Sequence, residues 1–252
     1  MSGDDLILET RGLSKEFEGF VAVSNVDLRV RRGTIHALIG PNGAGKTTVF
    51  NLVTKFHTPT SGQIFFSGKE ITGADPAELP RRGMCRSFQI SATFPHLTCL
   101  ENVRIALQRK LDTSYHFWRS ERSLDALGGR AMEFLADVGL TELGQVPAGE
   151  LPYGRKRALE LATTLALEPE ILLLDEPTSG LGQEDIARIT DLIRKVAAGR
   201  TVLMVEHNLG VVADLSSTIT VMQRGEILAE GRYEQVSADP RVIEAYMGTG
   251  HG

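Results

Sequence analysis

Three short stretches of this 252-residue sequence hold residues whose types and spacing could do chemistry together. Gly40 to Thr48 reads GPNGAGKTT and fits the pattern G-x-x-x-x-G-K-[ST]. Glycines at 40, 43 and 45 let a backbone turn and approach a ligand closely, so that amide N–H groups and a helix N-terminus face anionic oxygens. The loop Gly40, Pro41, Asn42, Gly43, Ala44, Gly45, Lys46, Thr47 and Thr48 is thus a candidate triphosphate cradle. Lys46 would reach the β- and γ-phosphates, Thr47 would offer its hydroxyl to Mg²⁺, and Thr48 would offer a second hydroxyl to phosphate. In ILLLDEP (171–177), Asp175 and Glu176 end an apolar run. At the C-terminal end of a parallel strand the aspartate could orient Mg²⁺ and the glutamate could take a proton from an attacking water. The third stretch, LPYGRKR (151–157), places a glycine and three bases at a helix start, a second phosphate-seeking feature in a chain that already has one.

The elements that must position these groups are legible from periodicity. LILETRGLSKEF and VAVSNVDLRV mix β-branched and apolar residues with turn formers and read as antiparallel strands, leading into a core strand Thr34–Ile39 (TIHALI) just before the glycine-rich loop. Lys46 to Lys55 reads as a helix and GQIFFSG (62–68) as a short strand. After Gly154, apolar residues at 158, 161, 162, 165 and 166 recur at helical steps, with Pro169 beyond. Strand 171–175, helix 184–197, strand 201–205, helix 209–213 and strands 219–222 and 226–230 follow. This alternation implies a parallel sheet with right-handed crossovers. Gln89, after a short strand in CRSFQ, and His207, ending a strand in MVEHN, fall at strand ends beside the expected site. Residues 100–143 read as helical, an insert.

Bulk composition narrows the function. Hydrophobic residues make up 42% and charged residues 23% of the chain, as in a soluble globular protein, and the net charge of -5 leaves no broad basic field for DNA or RNA. Cys85 and Cys99 form neither a CxxC pair nor a disulfide framework, which suits a reducing compartment. The acidic start MSGDDLILET is unlike a secretory signal, and the apolar runs are far shorter than the roughly 18 residues that span a bilayer. A cytosolic location follows as the expectation, with any membrane role mediated by a partner.

Taken in order, GPNGAGKTT, Gln89, LPYGRKR, ILLLDEP and His207 resemble the Walker A, Q-loop, signature, Walker B and switch motifs of the nucleotide-binding subunit of an ABC transporter, across nearly the whole chain. FQISATFPHLTCLENV, MVEHNLGVVADLSSTITVMQRGEILAEG and the ending EAYMG are similar to the Liv-type ATP-binding subunit of branched-chain amino-acid importers, a subgroup that also handles amides, urea and other small solutes. The resemblance implies an α/β P-loop NTPase fold in one ABC nucleotide-binding domain. Its mixed core sheet and antiparallel β subdomain would occupy residues 1–90 and 151–252, with an inserted helical subdomain at about 91–150. It implies ATP and Mg²⁺ as cofactors, Phe17 stacked on adenine, Gln89 at the metal and attacking water beside Thr47 and Asp175, and His207 at the γ-phosphate. It further implies a head-to-tail dimer with a second ATP-binding subunit, identical or paralogous. The LPYGRKR turn, through Tyr153 and Gly154, would then serve the ATP of the neighbour, which answers the redundancy of two phosphate sites in one chain. Transmembrane permease subunits, an extracytoplasmic solute-binding protein acting through them, and a place on the inner face of the cell membrane complete the implication.

Two motifs depart from the family pattern, and in the signature Tyr153 also replaces the first glycine. Pro152 stands where a serine would touch the γ-phosphate, which as a first-turn proline would leave the helix dipole intact, and Gly182 stands where the D-loop ends in aspartate. Both fit a heterodimer with one weaker composite site. The aromatic cluster Tyr115, Phe117 and Trp118, with neighbouring arginines, either packs a helical hairpin or forms a contact surface for a membrane subunit. Rival readings are an exporter motor for lipid-like cargo, a soluble ABC ATPase acting on nucleic acid or ribosomes, and a non-enzymatic regulator, the last disfavoured by Glu176.

Overall fold

The computed structural model describes residues 5–87, 93–110 and 121–247. From the N-terminus run β1 (Leu6–Phe17), β2 (Phe20–Val26), β3 (Arg29–Arg31), β4 (Ile35–Ile39), α1 (Lys46–Val53), β5 (Ser61–Phe66), β6 (Lys69–Glu70) and β7 (Met84–Ser87). Then come α2 (Cys99–Lys110), α3 (Glu121–Asp137), α4 (Tyr153–Leu165), β8 (Ile171–Asp175), α5 (Gln183–Ala197) and β9 (Thr201–Val205). The chain closes with α6 (Leu209–Leu215), β10 (Thr218–Gln223), β11 (Glu226–Gly231), α7 (Tyr233–Ser237) and α8 (Pro240–Met247).

Two sheets result. In the first, β1 is long enough to pair with β2, β3 and β5, all antiparallel, and β6 adds to β5. Thr10 holds the place where β1 passes from one partner to the next: its hydroxyl donates to the Val26 carbonyl at 2.8 Å and accepts from the Leu28 N–H at 2.8 Å. The second sheet has the order β11-β10-β4-β9-β8-β7, parallel except for the β10–β11 hairpin at its edge.

The parallel strands are buried on both faces, which is why they read as unbroken apolar runs. Side chains alternate along each strand, and the register keeps like with like across the ladder. Leu38, Ile171, Leu173, Leu203 and Val205 join α1 and the antiparallel sheet in one core. Ala37, Leu172, Leu174, Val202 and Met204 face α4, α5 and α6 in another, and the apolar residues of α2 and α3 belong to that same cluster. Helix α4 packs on α2 and α3 as well as on α5. Cys85 and Cys99 are buried, and burial raises the Cys99 thiol above its usual range.

Element ends differ from the sequence expectation by a turn or less. α1 stops at Val53 because Thr54 turns its hydroxyl back onto the Phe50 carbonyl and Lys55 takes a left-handed conformation, φ 63°. α6 runs on to Leu215, two residues beyond Ala213. Pro152 precedes the first helical turn of α4 as its cap residue, so its carbonyl accepts from the Lys156 N–H at 3.0 Å and its ring displaces no donor.

One polar chain runs through the core. The Thr220 hydroxyl donates to Glu230 at 2.8 Å, which leaves its oxygen to accept from His36 Nε2–H at 2.8 Å and fixes the neutral imidazole. His36 is buried, and burial pushes its pKa from 6.5 down to about 4. Below the unfolded-state value the unfolded chain binds more protons than the folded one, so stability is full at neutral pH and falls as pH drops from 6.5 towards 4. Between pH 7 and pH 5 this group removes about 2 kcal/mol of unfolding free energy. In His36→Gln that part of the pH dependence disappears, as paired denaturant titrations at the two pH values will read.

Candidate functional site

β4 ends at Ile39 and the chain enters the glycine-rich loop with Gly40 at φ 148°. Gly40 and Gly45 are required by the protein's own packing: a Cβ at Gly40 would lie 2.2 Å from the Met222 carbonyl oxygen, and one at Gly45 would lie 2.7 Å from that of Ala22. Gly43, at φ 76°, is the one whose Cβ would enter open space. The close approach expected at all three positions is thus made to β10 and β2 at two of them. α1 begins at Lys46 with no side-chain cap, so the N–H groups of its first turn are left for another partner. Thr47 is exposed on that turn and Thr48 half-buried.

Lys46 is buried, and its ammonium donates to the carbonyls of Gly40 at 2.7 Å and Pro41 at 2.9 Å. Burial lowers its pKa, while the nearby Glu176 carboxylate acts in the opposite sense. The lysine thus folds over the loop it belongs to.

β8 delivers Asp175 and Glu176 beside the end of β9. Asp175 is the last paired residue of β8, opposite Val205, and only 3% exposed. Its Oδ2 accepts from Arg86 at 2.5 Å. Arg86, on β7, also donates to Asn51 Oδ1 at 2.8 Å and to Thr54 Oγ1, with its guanidinium 4.9 Å from the ring centres of both Phe50 and Phe56. Sequence reasoning missed this arginine; the only signal was a charged residue in a short apolar strand, MCRS.

Glu176 adds one more ladder bond, its N–H to the Val205 carbonyl at 2.9 Å, and then turns with φ 47°. A left-handed conformation at a non-glycine residue is the local strain that functional sites often hold. It brings the Glu176 carboxylate to His207 Nε2 at 2.5 Å. His207 is fixed from both sides: Glu206 accepts its N–H, and Asn208 caps α6 by accepting from Gly210 and Val211. The catalytic pair expected from sequence, Glu176 and His207, is therefore in direct contact.

Other expected residues sit as follows. Phe17 ends β1, 38% exposed, with its ring edge-on to His57 at 5.3 Å and the Lys15 ammonium 4.9 Å from its centre. Tyr153 opens α4, exposed, and its hydroxyl accepts from Arg157 at 3.0 Å. Gly154 lies against Asp185 of α5, whose carboxylate is 2.7 Å from where a Cβ would stand, so its small size serves an internal contact. Gly182 caps α5 with backbone alone. Gln89 and the cluster Tyr115, Phe117 and Trp118 lie outside the described residues. A cleft of about 510 Å³ lined by Pro41–Ala44, Gln223, Arg224, Arg241 and Glu244 adjoins the loop on its α8 side and includes neither Glu176 nor His207. Tyr246 of α8, another residue missed, is buried enough to raise its phenol pKa, and the Gly40 backbone hydrogen-bonds to it.

The donor set suits magnesium, which takes few protein oxygens beside substrate phosphates: a threonine hydroxyl on α1 and a buried carboxylate on β8. Among the described residues no three His, Cys, Asp or Glu side chains form a metal cluster, and no helix is long and apolar enough to cross a membrane.

Comparison with known proteins gives this geometry its family. A family model described as ABC transporter matches residues 23–179, and one described as branched-chain amino acid ATP-binding cassette transporter matches residues 226–252. The high-affinity branched-chain amino acid transport ATP-binding protein BraF of Pseudomonas aeruginosa is 40% identical, over 96% of this chain and 98% of its own. LivG of Salmonella typhimurium, of the same description, is 37% identical over 96% and 98%. Among solved structures, a nucleotide-free ATP-binding cassette from an ABC transporter matches with a TM-score of 0.82 at 31% identity, covering 96% of this chain and 98% of that one. The ADP conformation of an ABC transporter's ATP-binding cassette matches at 0.83 and 31%, covering 96% and 99%. A dimeric bacterial ABC transporter cassette matches at 0.77 and 26%, covering 90% and 98%. With the loop, the two acids and the histidine assembled at the ends of its parallel strands, the chain belongs to the ABC transporter family as an ATP-binding cassette, the part that binds and hydrolyses ATP to power transport.

Proposed function

We propose that this cassette drives an importer of branched-chain amino acids, working as one of two ATP-binding subunits beneath transmembrane permease subunits on the inner face of the cell membrane. The C-terminal match at residues 226–252 and the printed names of the full-length relatives support the cargo. The observation that carries the catalytic part is the contact of Glu176 with His207, at the ends of β8 and β9 and within electrostatic reach of Lys46.

In this reading the first-turn N–H groups of α1 and the Gly43 region hold the phosphates, and Lys46 exchanges the Gly40 and Pro41 carbonyls for phosphate oxygens. Thr47, Asp175 and Gln89 would hold Mg²⁺, which supplies charge neutralisation of the phosphates when bound. Phe17, exposed beside the loop strands, offers its ring to adenine. Glu176 accepts the proton of the attacking water, and His207, released from Glu176, donates a hydrogen bond to the γ-phosphate. The exposed start of α4 with Tyr153 and Gly154 faces a neighbouring subunit's nucleotide, where the helix dipole acts without a serine hydroxyl. ATP held between two such surfaces favours the closed dimer, and hydrolysis releases it.

Lys46→Ala removes the charged donor to phosphate and will weaken ATP binding about 10- to 100-fold, read by fluorescent-nucleotide titration. Glu176→Gln will lower kcat about 10²- to 10⁴-fold while retaining nucleotide, and with MgATP will accumulate a dimer, alone or with its companion subunit, in size-exclusion chromatography. A strictly monomeric species under both conditions would refute the shared-nucleotide arrangement. Co-expression with its permease chains in membranes will give ATP-dependent leucine uptake that EDTA abolishes; uptake confined to another solute class would refute the cargo.

A further inference from the structure

Glu206, the residue just before His207, carries a carboxylate that none of the steps above uses. It is 2% exposed, and the donors it meets among the described residues are all neutral N–H and O–H groups. Four donors from two different loops meet it. Oε1 accepts the Thr178 N–H at 3.0 Å and the Thr178 hydroxyl, in a short contact. Oε2 accepts the N–H groups of His207 at 2.7 Å and Asn208 at 3.0 Å.

A buried carboxylate held by neutral groups is tolerated only while those donors stay in place, because losing even one leaves charge unsatisfied in a dry environment. The loop after β8 and the loop after β9 are therefore tied into one body. The tie closes a ring. From Glu206 the backbone leads to His207, the His207 ring meets Glu176, and the turn that follows, with the Ser179 N–H donating to the Glu176 carbonyl at 3.1 Å, returns through Thr178 to Glu206. Beyond Thr178 the same loop runs through Ser179, Gly180 and Leu181 to Gly182, the stretch that resembles the family's D-loop, and the Tyr153 ring lies 3.8 Å from where a Cβ on Gly180 would be.

We propose that Glu206 is a positioning residue for hydrolysis: its carboxylate couples the 177–182 loop to His207, so that a push on that loop from the neighbouring subunit resets the Glu176–His207 contact. This rests on the ATP-hydrolysing reading above. Glutamine at this position keeps the shape but turns one acceptor into a donor facing N–H groups, which breaks the tie without emptying the site.

The test uses the chain with its companion subunits, measuring steady-state hydrolysis and nucleotide binding in parallel. Glu206→Gln is expected to lower kcat about 10- to 100-fold with nucleotide affinity within about twofold of the parent. Thr178→Val, which deletes only the hydroxyl, lowers kcat in the same direction, and in the Glu206→Gln background it adds no further loss, since both remove one interaction. Glu206→Asp keeps the charge and recovers part of the rate. Proportional loss of affinity and rate, an unchanged kcat, or additive single effects would each overturn the assignment. Should Glu206→Gln not fold, an unchanged kcat in Thr178→Val alone would do the same. Wild-type protein that hydrolyses no ATP would overturn the underlying reading instead, so the two failures are distinguishable.

Discussion

The parallel pairing of β8 with β9 is the constraint on which the site depends. Asp175 opposite Val205 sets where both strands stop, and the next residue on each side, Glu176 and Glu206, begins a loop at the same height above the sheet. A slip of one residue would exchange the faces of Leu172, Leu174, Val202 and Met204 with those of Leu173, Leu203 and Val205. Both faces of this sheet are covered, so a slip would cost packing on each at once, although both faces are apolar. Tight register is thus maintained by shape more than by polarity, and the reward is that one carboxylate from each strand end can meet one histidine.

The glycine-rich loop obeys a similar logic. It was expected to need its glycines for a ligand, yet Gly40 is pressed on the Met222 carbonyl and Gly45 on that of Ala22. The loop is held between β10 of the parallel sheet and β2 of the antiparallel one, and Gly225 of the β10–β11 turn donates to the Ala44 carbonyl at 3.0 Å. The cradle is therefore shaped by both sheets before any phosphate arrives, a preorganisation that lowers the cost of binding.

What was legible in the sequence, and what was not, follows from the range of the interactions. The central parallel strands were readable because they are buried on both faces, and β1 even in its limits, Leu6 to Phe17, because turn formers bound it. The loop and the acids at 175 and 176 were readable because their chemistry is local: residues that share a site are adjacent in the chain. Arg86 and Glu206 were not, because their meaning comes from partners far away, Asp175 at a separation of 89 residues and Thr178 at 28. A lone charge within or next to an apolar run was the sole trace of either. Tyr246, near the far end of the chain, is likewise explained only by the fold that returns α8 to Gly40.

The contacts at the site, local and long-range alike, share a property that bears on how the cassette works. Lys46 is satisfied by two backbone carbonyls, Asp175 by Arg86, Glu206 by four donors, and Glu176 and His207 by each other. Each charge at the site thus has a partner supplied by the chain itself. Binding of a nucleotide is accordingly an exchange of partners more than the filling of a void, and its net free energy is the small difference between two sets of charge-assisted bonds. Such a balance is poorly suited to holding nucleotide tightly in one subunit. It is well suited to an equilibrium that the second subunit of the proposed dimer, meeting the 177–182 loop and the start of α4, would tip in either direction.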